Sequence, residues 1–316
     1  MIPYKTVRVK AYCSTANLGA GFDTFGLALG RYADRVQVKI ASTSTVRIRT
    51  LGPYSKELPT DPNKNSAGPP ARALLDRSRP NIGVEITVEK NIPPGLGLGS
   101  SGATAAACTK AMNHLLQLDL PDNELVKTAS LGEAASSGSA HTDNVSASLL
   151  GGFTIAYGDP LRTVSIKPPA KLSVVVVSPK IRLPKNKTGL ARRLVPKRIE
   201  VREAVLNIGR ASAIALGFAR GDIELIGSGM EDAIAEPRRE KLVPGYKMVK
   251  KAALNAQASG VAISGAGPSV VAFVDKTKQD PKKIAKVMMK EFRKSKIEST
   301  FFVTSAAGGA QIIRSG

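Results

Sequence analysis

The sequence predicts an α+β protein, and three observations carry that reading. Strand-like and helix-like segments are mixed without the strict alternation that builds a parallel α/β sheet. A glycine-rich loop joins an alternating strand to an alanine-rich helix within residues 82–112. The segment KPPAKLSVVVVSPK at 167–180 places two prolines before a run of four valines and marks entry into a second domain, dividing the chain into 1–165 and 166–316.

In chain order, the N-terminal MIPYKTVRVKAY alternates from its start, giving a strand over 6–12. Strands are expected near 34–40, 46–51 and 82–89, with a helix near 67–78 whose Pro69 and Pro70 fit only a first turn. The glycine loop and its helix follow, then a second helix near 122–137, a polar loop at 141–144 and a strand from Gly151 to Tyr157. Past the boundary come a polar connector with Thr188 and helices near 198–217, 222–233 and 245–258. Strands near 260–264 and 270–274, a helix near 280–293 and a strand near 298–304 close the chain.

Composition narrows the class. No segment approaches the ~18 uninterrupted apolar residues of a membrane span, which leaves no membrane partner and predicts a cytoplasmic protein. Cys13 and Cys108 have no metal-ligand spacing and form no disulfide framework, so both read as buried bystanders. The net charge of +21 raises nucleic acid as a partner. Yet the basic residues are spread out, and the denser runs at 185–187, 192–193, 196–198 and 276–296 have almost no aromatic platforms beside them. A solvated basic surface that attracts acidic metabolites is the favoured reading, with no nucleic acid.

Four segments carry chemistry. In IPPGLGLGSSGA, at 92–103, glycines let backbone N–H groups turn inward, and the following helix adds unpaired donors and a positive dipole end; both favour an anion. Ser100 and Ser101 offer one hydroxyl to cap the helix and another for a phosphate or metal. The rival reading is a turn that merely allows close packing. The loop also lacks the Lys-Ser/Thr pair and the spacing of the two commonest nucleotide motifs. Near the N-terminus, Asn17 and Asp23 flank a glycine turn, which alone is an Asx turn. Farther on, Glu133 lies on a predicted helix, near His141, Asp143 and Asn144; an acid beside a phosphate cradle suits a magnesium ion bridging protein and triphosphate. Near the C-terminus Gly265-Ala266-Gly267-Pro268 joins two apolar strands and is expected to close over the same ligand.

In this order and at these separations, the segments resemble the small-molecule kinase superfamily of galactokinase, homoserine kinase, mevalonate kinase and phosphomevalonate kinase. The family's phosphate loop is matched by Pro93 to Ser101 and its third motif by Gly265 to Pro268. Within it, the Asn17 to Asp23 turn, the His141-x-Asp143-Asn144 segment, Thr188-x-x-Ala191-Arg192 and Glu236-Pro237-x-Arg239 are similar to those of the homoserine kinases, over nearly the whole chain.

The resemblance implies a two-domain fold whose C-terminal part is ferredoxin-like, with ATP and Mg²⁺ as cofactors and L-homoserine as the substrate phosphorylated, a step toward threonine. It also implies a homodimer. Pro93, Pro94, Gly95, Leu96, Gly97, Leu98, Gly99, Ser100, Ser101, Gly102 and Ala103 would wrap the phosphates, and Ser101 with Glu133 would ligate the metal. Asn17, Asp23, His141, Asp143 and Gly265 would surround the amino acid, with Arg192 and Arg239 on its carboxylate. Asn144, Glu133, Ser101 and Thr188 would form the catalytic set, Asn144 orienting the hydroxyl. The rivals are a sister kinase of another small alcohol, such as mevalonate or shikimate, and a non-catalytic nucleic-acid binder on the same fold.

Overall fold

The computed structural model describes residues 5–78, 82–138, 141–182, 184 and 187–316. Of the basic run at 185–187 only Lys187 is among them, and the first four residues of the N-terminal strand segment also lie outside.

The first unit opens with β1 (Thr6–Ala16) and the long β2 (Phe25–Ala41), followed by β3 (Val46–Leu51), α1 (Gly68–Ser78) and β4 (Gly83–Glu89). Then come α2 (Ser100–Leu116), α3 (Asp122–Ser137), α4 (Thr142–Leu150), β5 (Phe153–Tyr157) and β6 (Arg162–Ile166). The expected strand at 34–40 is only the second half of β2. Its register against β1 jumps between Tyr12 and Cys13, so β2 bulges and serves two neighbours, β5 near residue 26 and β4 over 35–41. The bulge brings Asp34 onto the inward phase shared with Val36 and Val38, where all three side chains are fully buried.

A second unit continues from β7 (Leu172–Pro179) through α5 (Lys187–Arg193), α6 (Val201–Arg220), α7 (Ile223–Ser228), α8 (Glu236–Arg239) and α9 (Tyr246–Asn255). The hairpin of β8 (Gly260–Ile263) and β9 (Val270–Asp275), then α10 (Pro281–Lys294) and β10 (Ser299–Thr304), complete an antiparallel sheet in the order β10-β7-β9-β8. This is the split β-α-β of a ferredoxin-like unit. The chain does not end there. A further strand, β11 (Gln311–Ser315), returns to the first sheet and pairs with β1, giving the order β11-β1-β2-β4-β3 with β5 and β6 attached through β2. Sequence alternation misses β11 because all five of its residues are exposed at a sheet edge.

The valine run of β7 is buried on both faces, which is why it lacks alternation. Val174 and Val176 join the large core shared with the first unit, together with Ile214 and Phe218 of α6, whereas Val175 and Val177 face α9 and α10. Phe153 of β5 stacks on Phe218 at 3.9 Å between centroids, so the two units share one apolar seam. The two cysteines are buried in this structure, and burial pushes each thiol up to about 12.

Two expected loops are helical. Residues 142–150 form α4, with His141 at its N-cap, and Thr188 lies in α5. Polar residues dominate both expected loops, but in α4 the charged and amide side chains are confined to the first turn, and Val145 to Leu149 behind it are all buried, with Ser146 and Ser148 hydrogen-bonded inside.

Candidate active site

The glycine loop expected to hold phosphate is fixed by the protein's own contacts. It leaves β4 at Lys90, whose buried ammonium bonds Asp34, the Ser100 carbonyl at 2.5 Å and the Thr104 hydroxyl at 2.9 Å. The other oxygen of Asp34 accepts the backbone N–H groups of Asn91 and Ile92 at 2.9 and 3.0 Å. One buried ion pair therefore ties the entry of the loop to the first turn of α2. The expected serine cap is not formed. Gly99 is the N-cap, in the left-handed region at φ 58°, and Ser100 turns its hydroxyl back to the Ile92 carbonyl at 2.9 Å. Ser101 lines the cleft from the next position.

The Gly265 turn closes on this loop. Ser264 Oγ donates to the Gly97 carbonyl at 2.6 Å, and Ser269 N to that of Leu96 at 3.3 Å. Gly97 has φ +77°, and a Cβ there would stand 2.2 Å from the Ser264 carbonyl, so both conformation and space demand glycine. Asn17, itself at φ 71°, donates to the Gly265 carbonyl at 2.9 Å and accepts the Asp23 N–H at 3.1 Å. The N-terminal turn, the phosphate loop and the C-terminal turn thus meet, although 248 positions separate Asn17 from Gly265.

Between them lies a cleft of about 590 Å³. Asn17, Asp23, Glu133, His141, Asp143, Asn144, Thr188, Arg239 and Gly265 line it, with Pro94, Gly95, Gly97, Leu98, Gly99, Ser100 and Ser101 of the loop. Pro93, Leu96, Gly102 and Ala103 do not; Gly102 and Ala103 are buried in α2 behind its first turn. Arg192 is outside the lining but forms an ion pair with Asp23, and the guanidinium carbons of Arg239 and Arg192 stand 4.8 and 5.5 Å from the Phe22 ring centroid. Arg239 also donates Nε–H to the Ala191 carbonyl at 3.0 Å, which fixes α8 against α5.

Asn144 is immobilised against the phosphate loop. Its Oδ1 accepts from Ser14 Oγ at 3.0 Å, its backbone N–H and side-chain amide donate to Asp143 Oδ1 at 2.7 and 3.2 Å, and the missing Cβ of Gly99 leaves room for it. Burial, reinforced by the charge of Asp23, pushes the Asp143 carboxyl up to about 6, against the pull of His141 and the Asn144 N–H. His141 Nδ1 lies 3.8 Å from Glu133 Oε2. Burial opposes charge on the imidazole, but the polar contact with Glu133 and the negative charges of Asp143, Glu133 and Asp23 outweigh it and raise its pKa.

Sequence reasoning missed four contributors. Lys187, at the start of α5, and Asn65 and Ser66, ahead of α1, line the cleft without belonging to any motif read above. The Asp34–Lys90 pair did leave a signal. Both residues continue the inward, apolar phase of their strands, Asp34 with Val36 and Val38, Lys90 with Val84, Ile86 and Val88, where a charge demands a partner.

Comparison with known proteins agrees with this geometry. Residues 68–152 match the family described as GHMP kinases N terminal domain, and residues 214–294 match GHMP kinases C terminal. A homoserine kinase of Natronomonas pharaonis is 40% identical over 308 residues, covering 97% of this chain and 99% of the relative. The chain belongs to the GHMP kinase family. A homoserine kinase of Aeropyrum pernix is 41% identical over 270 residues, 84% of this chain and 86% of its own. The crystal structure of homoserine kinase from Cytophaga hutchinsonii superposes with a TM-score of 0.89 at 34% identity, covering 99% of both chains. A GHMP kinase of this kind is a phosphotransferase, and the N-terminal match contains the phosphate loop, Glu133 and Asn144 together.

Proposed function

We infer that this GHMP kinase transfers the γ-phosphoryl group of ATP to the side-chain hydroxyl of L-homoserine. The observation that carries the reading is the convergence in one cleft of a glycine loop at a helix N-terminus, Asn144 against that loop, and acidic and basic groups fit for a zwitterion. Leu58, Pro59, Asn65 and Ser66 would receive the nucleoside, and the loop from Pro94 to Ser101 with the N-terminus of α2 would receive the phosphates. Asp23 and Asp143 suit an ammonium group, and Arg239 and Arg192 a carboxylate. A substrate carrying both groups would part the Asp23–Arg192 pair and give each a new partner of the same charge type. A mevalonate-like alcohol has no ammonium to repay that exchange.

Among the described residues no cluster of three or more His, Cys, Asp and Glu could hold a metal alone. Ser101 and Glu133 supply two oxygens from the cleft wall, which fits magnesium, an ion that takes few protein ligands beside substrate phosphates and waters. Held there, it would neutralise phosphate charge. Asn144 orients the attacking hydroxyl but cannot accept its proton at neutral pH. A loose transition state puts little charge on that oxygen, so positioning and charge neutralisation carry the rate and the proton leaves late, to phosphate. The homodimer belongs to the same proposal; Val201, Val205 and Ile208, exposed along one side of α6, offer it an apolar surface.

The test is ADP release with Mg-ATP and L-homoserine, L-threonine, shikimate or mevalonate. Strong stimulation by homoserine alone is expected, and Asn144→Ala should lower saturated turnover at least tenfold. Stimulation by another alcohol instead would overturn the acceptor site, and full turnover by the variant would overturn the role of Asn144.

A further inference from the structure

Lys187 has no place in any motif, yet it is a buried cation on the wall of the cleft. It is the first residue of α5, and its Nζ donates to the carbonyl of Gly267 in the C-terminal turn. That carbonyl is the one Gly97 packs against, since a Cβ on Gly97 would stand 2.8 Å from Gly267 O. The ammonium therefore sits where the phosphate loop and the C-terminal turn touch. Arg239 is close enough for the two charges to repel, and it lines the same cleft, as does Thr188, the next residue in the chain. Lys187 stands between the groups proposed for the phosphates and those proposed for the acceptor's carboxylate.

The described residues around it do not compensate its charge. Among the described residues no carboxylate pairs with Lys187; the cleft's Asp23, Glu133, His141 and Asp143 are engaged with Arg192, with one another or with Asn144. A buried ammonium with one neutral acceptor among the described residues and a guanidinium neighbour is a costly arrangement, which an incoming polyanion would relieve. Burial, with the charge of Arg239 adding to it, lowers this lysine to about 7, within reach of a change of protonation when an anion binds near neutral pH.

Resting on the kinase reading above, we propose that Lys187 is a catalytic residue that binds the phosphoryl group in transit and takes up a proton from solvent when the triphosphate enters. Its charge then faces the equatorial oxygens of the transferring group, the place where fixed positive charge contributes most to phosphoryl transfer. Arginine would serve the electrostatic role but not the proton uptake, because a guanidinium stays protonated throughout.

The experiment is calorimetric titration of the full chain with magnesium and the non-hydrolysable triphosphate AMPPNP at pH 7.5. It is run in two buffers of different ionisation heat, so that the buffer dependence reports protons taken up. Wild-type protein should take up a large fraction of one proton. Lys187→Met should lose that uptake and lower turnover with homoserine by about 100-fold, the scale of removing one fixed donor to transition-state charge. Lys187→Arg should bind AMPPNP without the uptake and recover much of the turnover, which separates charge from packing. The proposal is overturned if Lys187→Met keeps the uptake or turns over within twofold of wild type, or if Lys187→Arg is as slow as Lys187→Met. Absence of AMPPNP binding to the wild-type chain would instead overturn the kinase reading itself, and this proposal with it.

Discussion

The two halves of the cleft are built from different materials. The half proposed for phosphate is backbone: carbonyls of Leu96, Gly97 and Leu98 tied to Ser269, Ser264 and Ser14, with the loop clamped from behind by Asp34 and Lys90. The half proposed for the acceptor is side chains, Asp23, His141, Asp143, Asn144 and Arg239, delivered by three separate stretches of chain and satisfied largely by one another and by Arg192. A phosphate presents the same oxygens in every nucleotide, so rigid N–H groups suffice. Telling one small alcohol from another requires charges at chosen points, and those have to exchange partners when the substrate binds.

If the phosphate half is rigid backbone, the largest effect should come from adding a single methyl group to it. Gly97→Ala must adopt a positive φ and meet the Ser264 carbonyl at 2.2 Å. The expected outcome is a loss of turnover of about 100-fold or more together with a fall in melting temperature, because the C-terminal turn must move away. Gly265→Ala sharpens the point. Its φ of +55° is also strained, but the nearest atom to its Cβ is 3.5 Å away, so a milder loss of about 1–2 kcal/mol in stability is expected. Equal effects of the two would show that conformation rather than contact makes the loop rigid.

Next in size is the clamp. Lys90→Met leaves the Asp34 carboxylate buried without its cation and should cost about 3–5 kcal/mol in chemical denaturation. The double variant Asp34→Asn with Lys90→Met should recover part of this, since an amide oxygen still accepts from Asn91 and Ile92. On the acceptor side the balance reverses. Asp23→Asn should raise KM for homoserine about tenfold or more and leave KM for ATP within twofold. Its effect on stability should stay under about 1 kcal/mol, because the pair with Arg192 is part-exposed, with 44% and 31% of the two side chains accessible. An equal rise in both KM values would erase the division between the halves.

The same division decides what the sequence discloses. The phosphate loop is legible because its function lies in glycines that must be adjacent in the chain, and the strand before it and the helix after it announce themselves by period. The acceptor residues are legible only as a resemblance. Asn17 and Gly265 acquire meaning through a contact across 248 positions, which no local pattern encodes. Polar first turns read as loops, as at 141–144 and 188, because the apolar residues that make those helices amphipathic come later or are few. Lys187 is invisible for a related reason: the carbonyl its ammonium meets belongs to Gly267, 80 positions away in the chain.

The subtlest expected effect distinguishes a group held for function from one held for stability. The Asp143 carboxyl is lifted from its ordinary 3.8 to about 6, chiefly by burial and then by Asp23. A raised carboxyl binds its proton more tightly in the folded state than in the unfolded chain. Its favourable contribution is therefore present below pH ~4 and is lost as pH rises through about 6, leaving a cost on the order of 2–3 kcal/mol at pH 8. Asp143→Asn should accordingly raise the melting temperature by a few degrees at pH 8 and change it little at pH 4, as measured by thermal unfolding. Catalysis should run the other way. The ionised form is the one that suits an ammonium group, so kcat/KM for homoserine should climb through about pH 6 in the wild type and be low and flat there in the variant. A variant that lost stability at pH 8 would mean that Asp143 earns its place through its bonds to Asn144, and that the acceptor half is as much scaffold as the phosphate half.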